Sequence, residues 1–151
     1  MRETSPIIRA FDPATDTEKL SKIWLDASLL AHPFIGRARL LEQRRLIEET
    51  YLAAAETWVA CQSGEPAGFI ALMENFIGGL FVAPAHQKKG IGRRLIAHAL
   101  TRRDELTLEV YTENAGALRF YLAQGFEEVS RRPRDDEGFP FENARLRRPA
   151  R

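Results

Sequence analysis

The stretch Leu80-Phe81-Val82-Ala83-Pro84-Ala85-His86-Gln87-Lys88-Lys89-Gly90-Ile91-Gly92-Arg93-Arg94-Leu95 constrains this chain more than any other. It reads as a strand that stops at Ala83-Pro84, a short loop, and a helix that opens on two glycines flanked by cations. A helix N-terminus carries unpaired N–H donors and about half a positive charge. Glycines there let an anion approach the backbone, and Lys88, Lys89, Arg93 and Arg94 add attraction. The stretch therefore predicts a phosphate site between a strand and a helix. Two other glycine loops do not fit. A Walker A loop has Lys-Ser or Lys-Thr after its last glycine, whereas Gly92 is followed by Arg93. A dinucleotide-binding fingerprint needs a third glycine three positions past Gly92, where this chain has Leu95.

Other elements surround that unit. Ile7 to Phe11 predicts a first strand, and Asp12-Pro13-Ala14 a turn. Thr15 with Glu18 fits a capping box, and Leu20, Ile23, Trp24, Ala27 and Leu30 then fall on one helical face. His32-Pro33-Phe34-Ile35-Gly36 interrupts this helix, because proline disfavours helical geometry in the residue before it. A second helix is expected from about Arg37 to Ala55, with Leu40, Leu41, Ile47, Tyr51 and Leu52 apolar. The pattern then turns β-rich. Thr57–Cys61 and Ala67–Met73 form a hairpin around Gln62-Ser63-Gly64-Glu65, and Phe76–Val82 is a third strand in which Gly78-Gly79 predicts a bulge. Gly90 to Arg103 is helical, Leu106–Tyr111 a strand, and Asn114 to Gln124 a helix with Gly125 at its C-terminus. Phe126–Ser130 and Ala144–Arg147 are late strands, and Arg131–Pro140 is expected to be a mobile loop. The order β-α-α-β-β-β-α-β-α-β-β predicts an α/β (α+β) fold, a mixed sheet with helices against it.

Size and charge fit that picture. A single domain over residues 1–151 is expected, and a chain of 151 residues buries about 70% of its unfolded surface without needing a staple. One cysteine, Cys61, cannot form an intrachain disulfide, which points to a reducing, cytoplasmic setting. Met1 to Ser5 lacks the apolar core of a secretory signal, and no apolar run is long enough to span a membrane. The net charge of +1 divides into −3 over residues 1–75 and +4 over residues 76–151, so the second half is the one expected to meet an anion. His32, His86 and His98 are scattered, and no metal site is predicted.

Gln87-Lys88-Lys89-Gly90-Ile91-Gly92 resembles the acyl-CoA pyrophosphate loop of the GNAT N-acetyltransferase superfamily, Arg/Gln-x-x-Gly-x-Gly/Ala. Asn114-Ala115-Gly116-Ala117-Leu118-Arg119-Phe120-Tyr121-Leu122-Ala123-Gln124-Gly125-Phe126 is similar to its Asn-x-x-Ala-x-x-x-Tyr-x-x-x-Gly-Phe helix. The resemblance covers nearly the whole chain. It implies a mostly antiparallel sheet splayed between strands 4 and 5, with helices on both faces. The pantetheine arm of acetyl-CoA would lie in the splay against Leu80, Phe81 and Val82. Its phosphates would meet Gln87, Lys88, Lys89, Gly90, Ile91, Gly92 and Arg93, while Asn114 and Ala117 border the arm.

The implied reaction is amine attack on a thioester, which needs a neutral amine, a stabilised oxyanion and a protonated leaving thiolate. Tyr121 stands at the family's tyrosine position. A phenol with pKa near 10 holds its proton at neutral pH yet can give it to a thiolate. A backbone N–H near Phe81 or Val82 would hold the oxyanion. Glu109, in Leu108-Glu109-Val110, resembles the glutamate base of ribosomal-protein N-terminal acetyltransferases. An apolar setting would raise its pKa. Glu74 and His32 are competing bases. The segment Ala31-His32-Pro33-Phe34-Ile35 together with Met73-Glu74 and Phe81-Val82-Ala83-Pro84 resembles a bacterial subgroup that includes protein-lysine acetyltransferases. His32, Phe34 and Glu74 are thus expected near the acceptor, with Trp24 and Tyr51 as further lining. The acceptor expected is a protein amine, with a small amine as the alternative, the enzyme being a monomer or homodimer. Two other readings compete. One is a non-catalytic acyl-CoA module. The other is nucleic-acid binding through Arg131, Arg132, Arg134, Arg145, Arg147, Arg148 and Arg151.

Overall fold

The computed structural model describes residues 5–150, so Met1 to Thr4 and Arg151, both used in the sequence reading, lie outside the described residues. The elements are β1 (Ile7–Ala10), α1 (Pro13–Ala31), α2 (Arg37–Leu46), α3 (Leu52–Ala54), β2 (Glu56–Gln62), β3 (Glu65–Met73), β4 (Phe76–Val82), α4 (Ile91–Arg102), β5 (Leu106–Tyr111), α5 (Ala115–Ala123), β6 (Glu127–Arg132) and β7 (Asn143–Arg148). A 3-10 turn, Pro33–Ile35, joins α1 to α2, and a π-helical turn, Ile47–Tyr51, joins α2 to α3. The seven strands form one sheet in the order β1-β2-β3-β4-β5-β7-β6. All pairs are antiparallel except β4 with β5.

Strand alternation divides the core between the two faces. Phe69 of β3 joins Leu20, Trp24, Leu40 and Leu52 under α1 to α3. Its neighbour Ile70 joins Leu95, Ile96, Leu108 and Leu146 on the opposite face, under α4 and α5.

The feature that positions everything else is the parting of β4 from β5. They pair only at Phe76–Thr107 and Ile77–Leu108. Just beyond, the β3–β4 register shifts so that Ala71 faces Gly79 while Leu72 faces Ile77, leaving Gly78 as the extra residue of the expected bulge. The bulge turns β4 away from β5 and opens a wedge.

Three local expectations need correction. The capping box on Thr15 and Glu18 does not form. Asp12 is the N-cap of α1, accepting from the Ala14 N–H at 2.9 Å, with Pro13 in the first turn. The reciprocal bond comes from the buried Asp16, which accepts from the Asp12 N–H at 2.8 Å and pairs with Arg9. The helix after Gly36 is not uniformly α-helical, because the π-helical turn carries Tyr51 toward β4. The segment 131–140 is not a free loop. β6 runs through Arg132, and the buried Asp135 accepts from the N–H groups of Glu137 and Phe139 at 3.0 and 2.9 Å. Asp135 also takes the Tyr111 hydroxyl at 3.2 Å and pairs with Arg39 at 3.3 Å.

Candidate active site

The wedge between β4 and β5 is a cavity of about 710 Å³. Its walls are Ile77–Val82 of β4, Leu108–Tyr111 of β5, the first two turns of α5 and the loop before α4 with the first turn of α4, with the end of α1 (Ala27, Leu30, Ala31) and His32 at one side. At the loop end, Gly90 is the N-cap of α4 at φ +82°, a left-handed conformation that glycine adopts without strain. No side chain caps α4, so the first N–H groups of this helix stand open toward the cavity. Gln87 donates from Nε2 to the Val82 carbonyl at 3.1 Å, tying the loop to the end of β4. Gly92 has a packing role as well, since a Cβ there would press to 3.2 Å on the Phe120 ring. Gln87, Lys88, Gly90, Ile91, Gly92 and Arg93 line the cavity. Lys89, expected with them, is exposed and outside the wall, as is Arg94.

Along the open edge of β4, backbone direction selects the available donors. The Phe81 carbonyl turns toward Gly68 on β3, where a Cβ on Gly68 would approach it to 2.9 Å. Backbone groups alternate along a strand, so those of Leu80 and Val82 face the gap and those of Phe81 do not. This corrects the expectation that Phe81 could supply the oxyanion donor.

Asn114 caps α5. Its Oδ1 accepts the Ala117 N–H at 3.2 Å, and its Nδ2 lies 3.3 Å from His32 Nε2. Tyr121 lines the cavity and packs edge-on against Phe120 and Phe126, with ring centroids 5.3 and 5.5 Å away. Burial pushes its phenol well above the ordinary tyrosine range. The same effect pushes the His32 imidazole down to about 4, so it is neutral at physiological pH. His32 is held edge-on between Phe34 and Tyr111, at 5.7 and 5.1 Å.

Glu109 does reach the cavity, but its surroundings are not the apolar ones expected. It pairs with Arg132 and, at 3.6 Å, with Arg145. Alternation along β5 explains this, because Leu108 and Val110 take the buried face and Glu109 and Tyr111 take the other. On that other face lies a second cavity of about 290 Å³, which shares Ile77, Gly78, Glu109, Val110 and Tyr111 with the first. Glu74 is not brought to the site. It is exposed at the β3–β4 turn, at the closed end of the wedge, with its carbonyl bonded to Arg103 Nε at 2.7 Å. Phe34 stands behind His32 against Phe141, Trp24 is a core residue against Phe81, and Tyr51 is packed on Gly78, so none of the three is in the cavity wall.

Sequence reasoning missed Tyr111 and the Arg39–Asp135 pair that braces it. Tyr111 could have been found as the residue two beyond Glu109 on the same strand face. Among the described residues, four of the six late arginines are engaged in ion pairs. Arg131, Arg132, Arg145 and Arg147 pair with Glu128, Glu142, Glu109, Asp136 or Glu105. Among the described residues no group of three or more His, Cys, Asp or Glu could hold a metal ion, and no helix is long and apolar enough to cross a membrane.

The wedge that the bulge opens, with the uncapped start of α4 at one end and the partly buried Tyr121 beside it, has the layout expected of an acyl-CoA-dependent acyltransferase. The acetyltransferase (GNAT) domain model matches residues 53–128, and the chain belongs to that family. It is 37% identical over 120 residues to peptidyl-lysine N-acetyltransferase YiaC of Escherichia coli K12, covering 79% of this chain and 82% of that one. The solution structure of apo YjaB from Escherichia coli superposes with a TM-score of 0.87 at 30% identity, covering 98% of this chain and all of the other. A PaiA N-acetyltransferase from Thermoplasma acidophilum in complex with coenzyme A shares the fold, with a TM-score of 0.80 at 17% identity over 97% of this chain and 99% of that one. The chain is an acetyl-CoA-dependent N-acetyltransferase.

Proposed function

We propose that this enzyme acetylates a protein amine, a lysine side chain or an N-terminus, by direct attack of the amine on acetyl-CoA in a ternary complex. The second cavity carries this reading. It meets the acyl-CoA wedge at Glu109 and Tyr111, so an amine can reach the wedge from the side opposite α4. Its wall includes Glu109, Asp135, Asp136 and Glu137 against Arg39 and Arg132, an acidic balance that favours a cationic acceptor. Similarity to enzymes named peptidyl-lysine N-acetyltransferases supports the same acceptor class. The lone Cys61 fits a reducing compartment, the cytoplasm.

In this reading the open N–H groups at the start of α4, with Lys88 and Arg93, hold the phosphates. The gap-facing N–H of Val82 stabilises the oxyanion. Glu109 takes the amine proton, directly or through water. As the new C–N bond forms and the C–S bond breaks, the Tyr121 hydroxyl protonates the departing thiolate. The test is an acetyl-transfer screen over peptide lysines, peptide N-termini and small amines, following release of free coenzyme A thiol. Turnover of peptide amines well above that of polyamines or amino sugars is the expected result. A preference of about 100-fold for a small amine would overturn it.

A further inference from the structure

The contact between His32 and Asn114 joins the end of α1 to the start of α5, residues 82 positions apart. Its chemistry can be read from the groups involved. Asn114 Oδ1 is engaged by the Ala117 N–H at 3.2 Å, which fixes the orientation of the carboxamide and leaves Nδ2 as the atom facing the imidazole. An amide nitrogen only donates, so His32 Nε2 must be the acceptor and the ring proton must sit on Nδ1. The ring itself is held firmly. Its backbone N–H closes α1 onto the Ser28 carbonyl at 2.7 Å, Pro33 follows directly, and Phe34 and Tyr111 clamp the ring edges. Burial keeps the imidazole neutral, which preserves its lone pair.

An amide nitrogen carries two hydrogens, and His32 takes only one. Asn114 and His32 both line the acyl-CoA wedge. We propose that His32 is a positioning residue: by accepting one N–H of Asn114 it presents the second N–H to an amide carbonyl of the acyl-CoA arm. This rests on the assignment of Asn114 to the pantetheine arm. The role differs from that of a general base, because the one lone pair able to take a proton is already engaged. It also gives the His-Pro pair at the end of α1 a purpose, since a fixed ring is what orients a carboxamide.

The experiment measures coenzyme A binding by calorimetry, which needs no knowledge of the acceptor, alongside steady-state kinetics with acetyl-CoA. His32→Phe keeps a ring and removes the acceptor. It should weaken coenzyme A by about 3- to 10-fold, the range of one neutral hydrogen bond, and raise KM for acetyl-CoA while kcat changes less than about threefold. Asn114→Ala should weaken binding by at least as much, and the double variant should be no weaker than Asn114→Ala alone, because both remove one bond. His32→Gln, which restores an acceptor oxygen, should recover part of the loss. Far-UV circular dichroism on each variant reports retention of the fold. Normal binding by His32→Phe beside a weak Asn114→Ala overturns the role of His32 alone. Normal binding by both overturns the assignment of Asn114 as well. A fall in kcat of about 100-fold or more at unchanged KM would make His32 a catalytic residue and overturn the positioning role.

Discussion

The phenol oxygen of Tyr51 lies where a side chain on Gly78 would stand: a Cβ at that position would come within 1.3 Å of Tyr51 Oη. The π-helical turn after α2 and the bulge in β4 are thereby fitted to each other, and the bulge is what opens the wedge. Gly78→Ala must push the Tyr51 ring away or straighten the bulge. Overpacking of this kind costs about 1–3 kcal/mol, which for about 150 residues corresponds to a loss of roughly 2–12 °C in Tm. Coenzyme A affinity should fall with it, because the edge of the wedge moves. Differential scanning calorimetry and coenzyme A titration test both effects, and an unchanged Tm would show that no such fit exists.

Removing only the Tyr51 hydroxyl should act in the opposite direction. That oxygen is buried without a partner among the described residues, and burial raises its pKa. An unsatisfied buried polar group costs about 1–3 kcal/mol. Tyr51→Phe should therefore be neutral or raise Tm by a few degrees, with turnover unchanged. A marked loss of stability would mean that the hydroxyl has a bond that matters.

Tyr121→Phe should lower kcat by about 10²- to 10⁴-fold, the usual range for a lost general acid, while coenzyme A still binds. Burial holds the phenol proton more tightly than in an ordinary tyrosine, so the acid form persists to higher pH. The alkaline limb of the kcat profile should accordingly show no loss near pH 10. Stopped thiol-release assays from pH 7 to 10.5 check this. A limb falling with an ordinary tyrosine pKa would contradict the buried, proton-holding environment.

The parts of the molecule legible in the sequence are those with short-range signals. The paired glycines of β4, the loop Gln87–Gly92 and the run Asn114–Phe126 all act within a few residues, and each is found where its pattern indicates. What was not legible depends on distant partners. Segment 131–140 has the composition of a loop, yet Asp135 anchors it through Arg39, which is 96 residues away, and through Tyr111. The glutamate in Leu108-Glu109-Val110 sits in an apolar run, but Arg132 and Arg145 arrive beside it only when β7 pairs with β5 and β6 with β7. Asp12 and Thr15 are both good caps, so local sequence does not choose between them for the start of α1. The structure uses Asp12 because Pro13 fits the first turn and Asp16 returns the bond.

Acid sensitivity should appear in two windows. The pKa of His32 is about 4 in the folded protein, below the ordinary 6.5, so the unfolded chain binds more protons between those values. Its contribution to stability is complete above pH 6.5 and is lost as pH falls toward 4. His98, also pushed down by burial, acts in the same direction. Glu56 is held near 2 rather than 4.5 by bonds from Trp58, Arg102 and Arg103. Its contribution is complete above pH 4.5 and is lost as pH falls through 2. Tm measured from pH 8 to 2 should decline through both windows. His32→Phe should flatten the upper decline and Glu56→Gln the lower, and a Glu56→Gln curve parallel to that of the parent would refute the second assignment.

The acceptor itself decides how much work Glu109 must do. At pH 7.4 an α-amine with pKa about 7.8 is partly neutral, whereas a lysine near 10.4 lies about three units away, or about 4 kcal/mol. A base that removes the amine proton should therefore matter more for lysine. Glu109→Gln should lower kcat/KM for a lysine peptide by about 10²-fold or more, and for an N-terminal amine of the same peptide by clearly less. The substitution also leaves Arg132 and Arg145 without their shared carboxylate, so acceptor KM should rise for both substrates through the changed charge of the second cavity. The informative quantity is thus the ratio of the two losses in kcat. Equal losses for both amines would assign Glu109 to holding the charge of the cavity wall and leave proton removal to water.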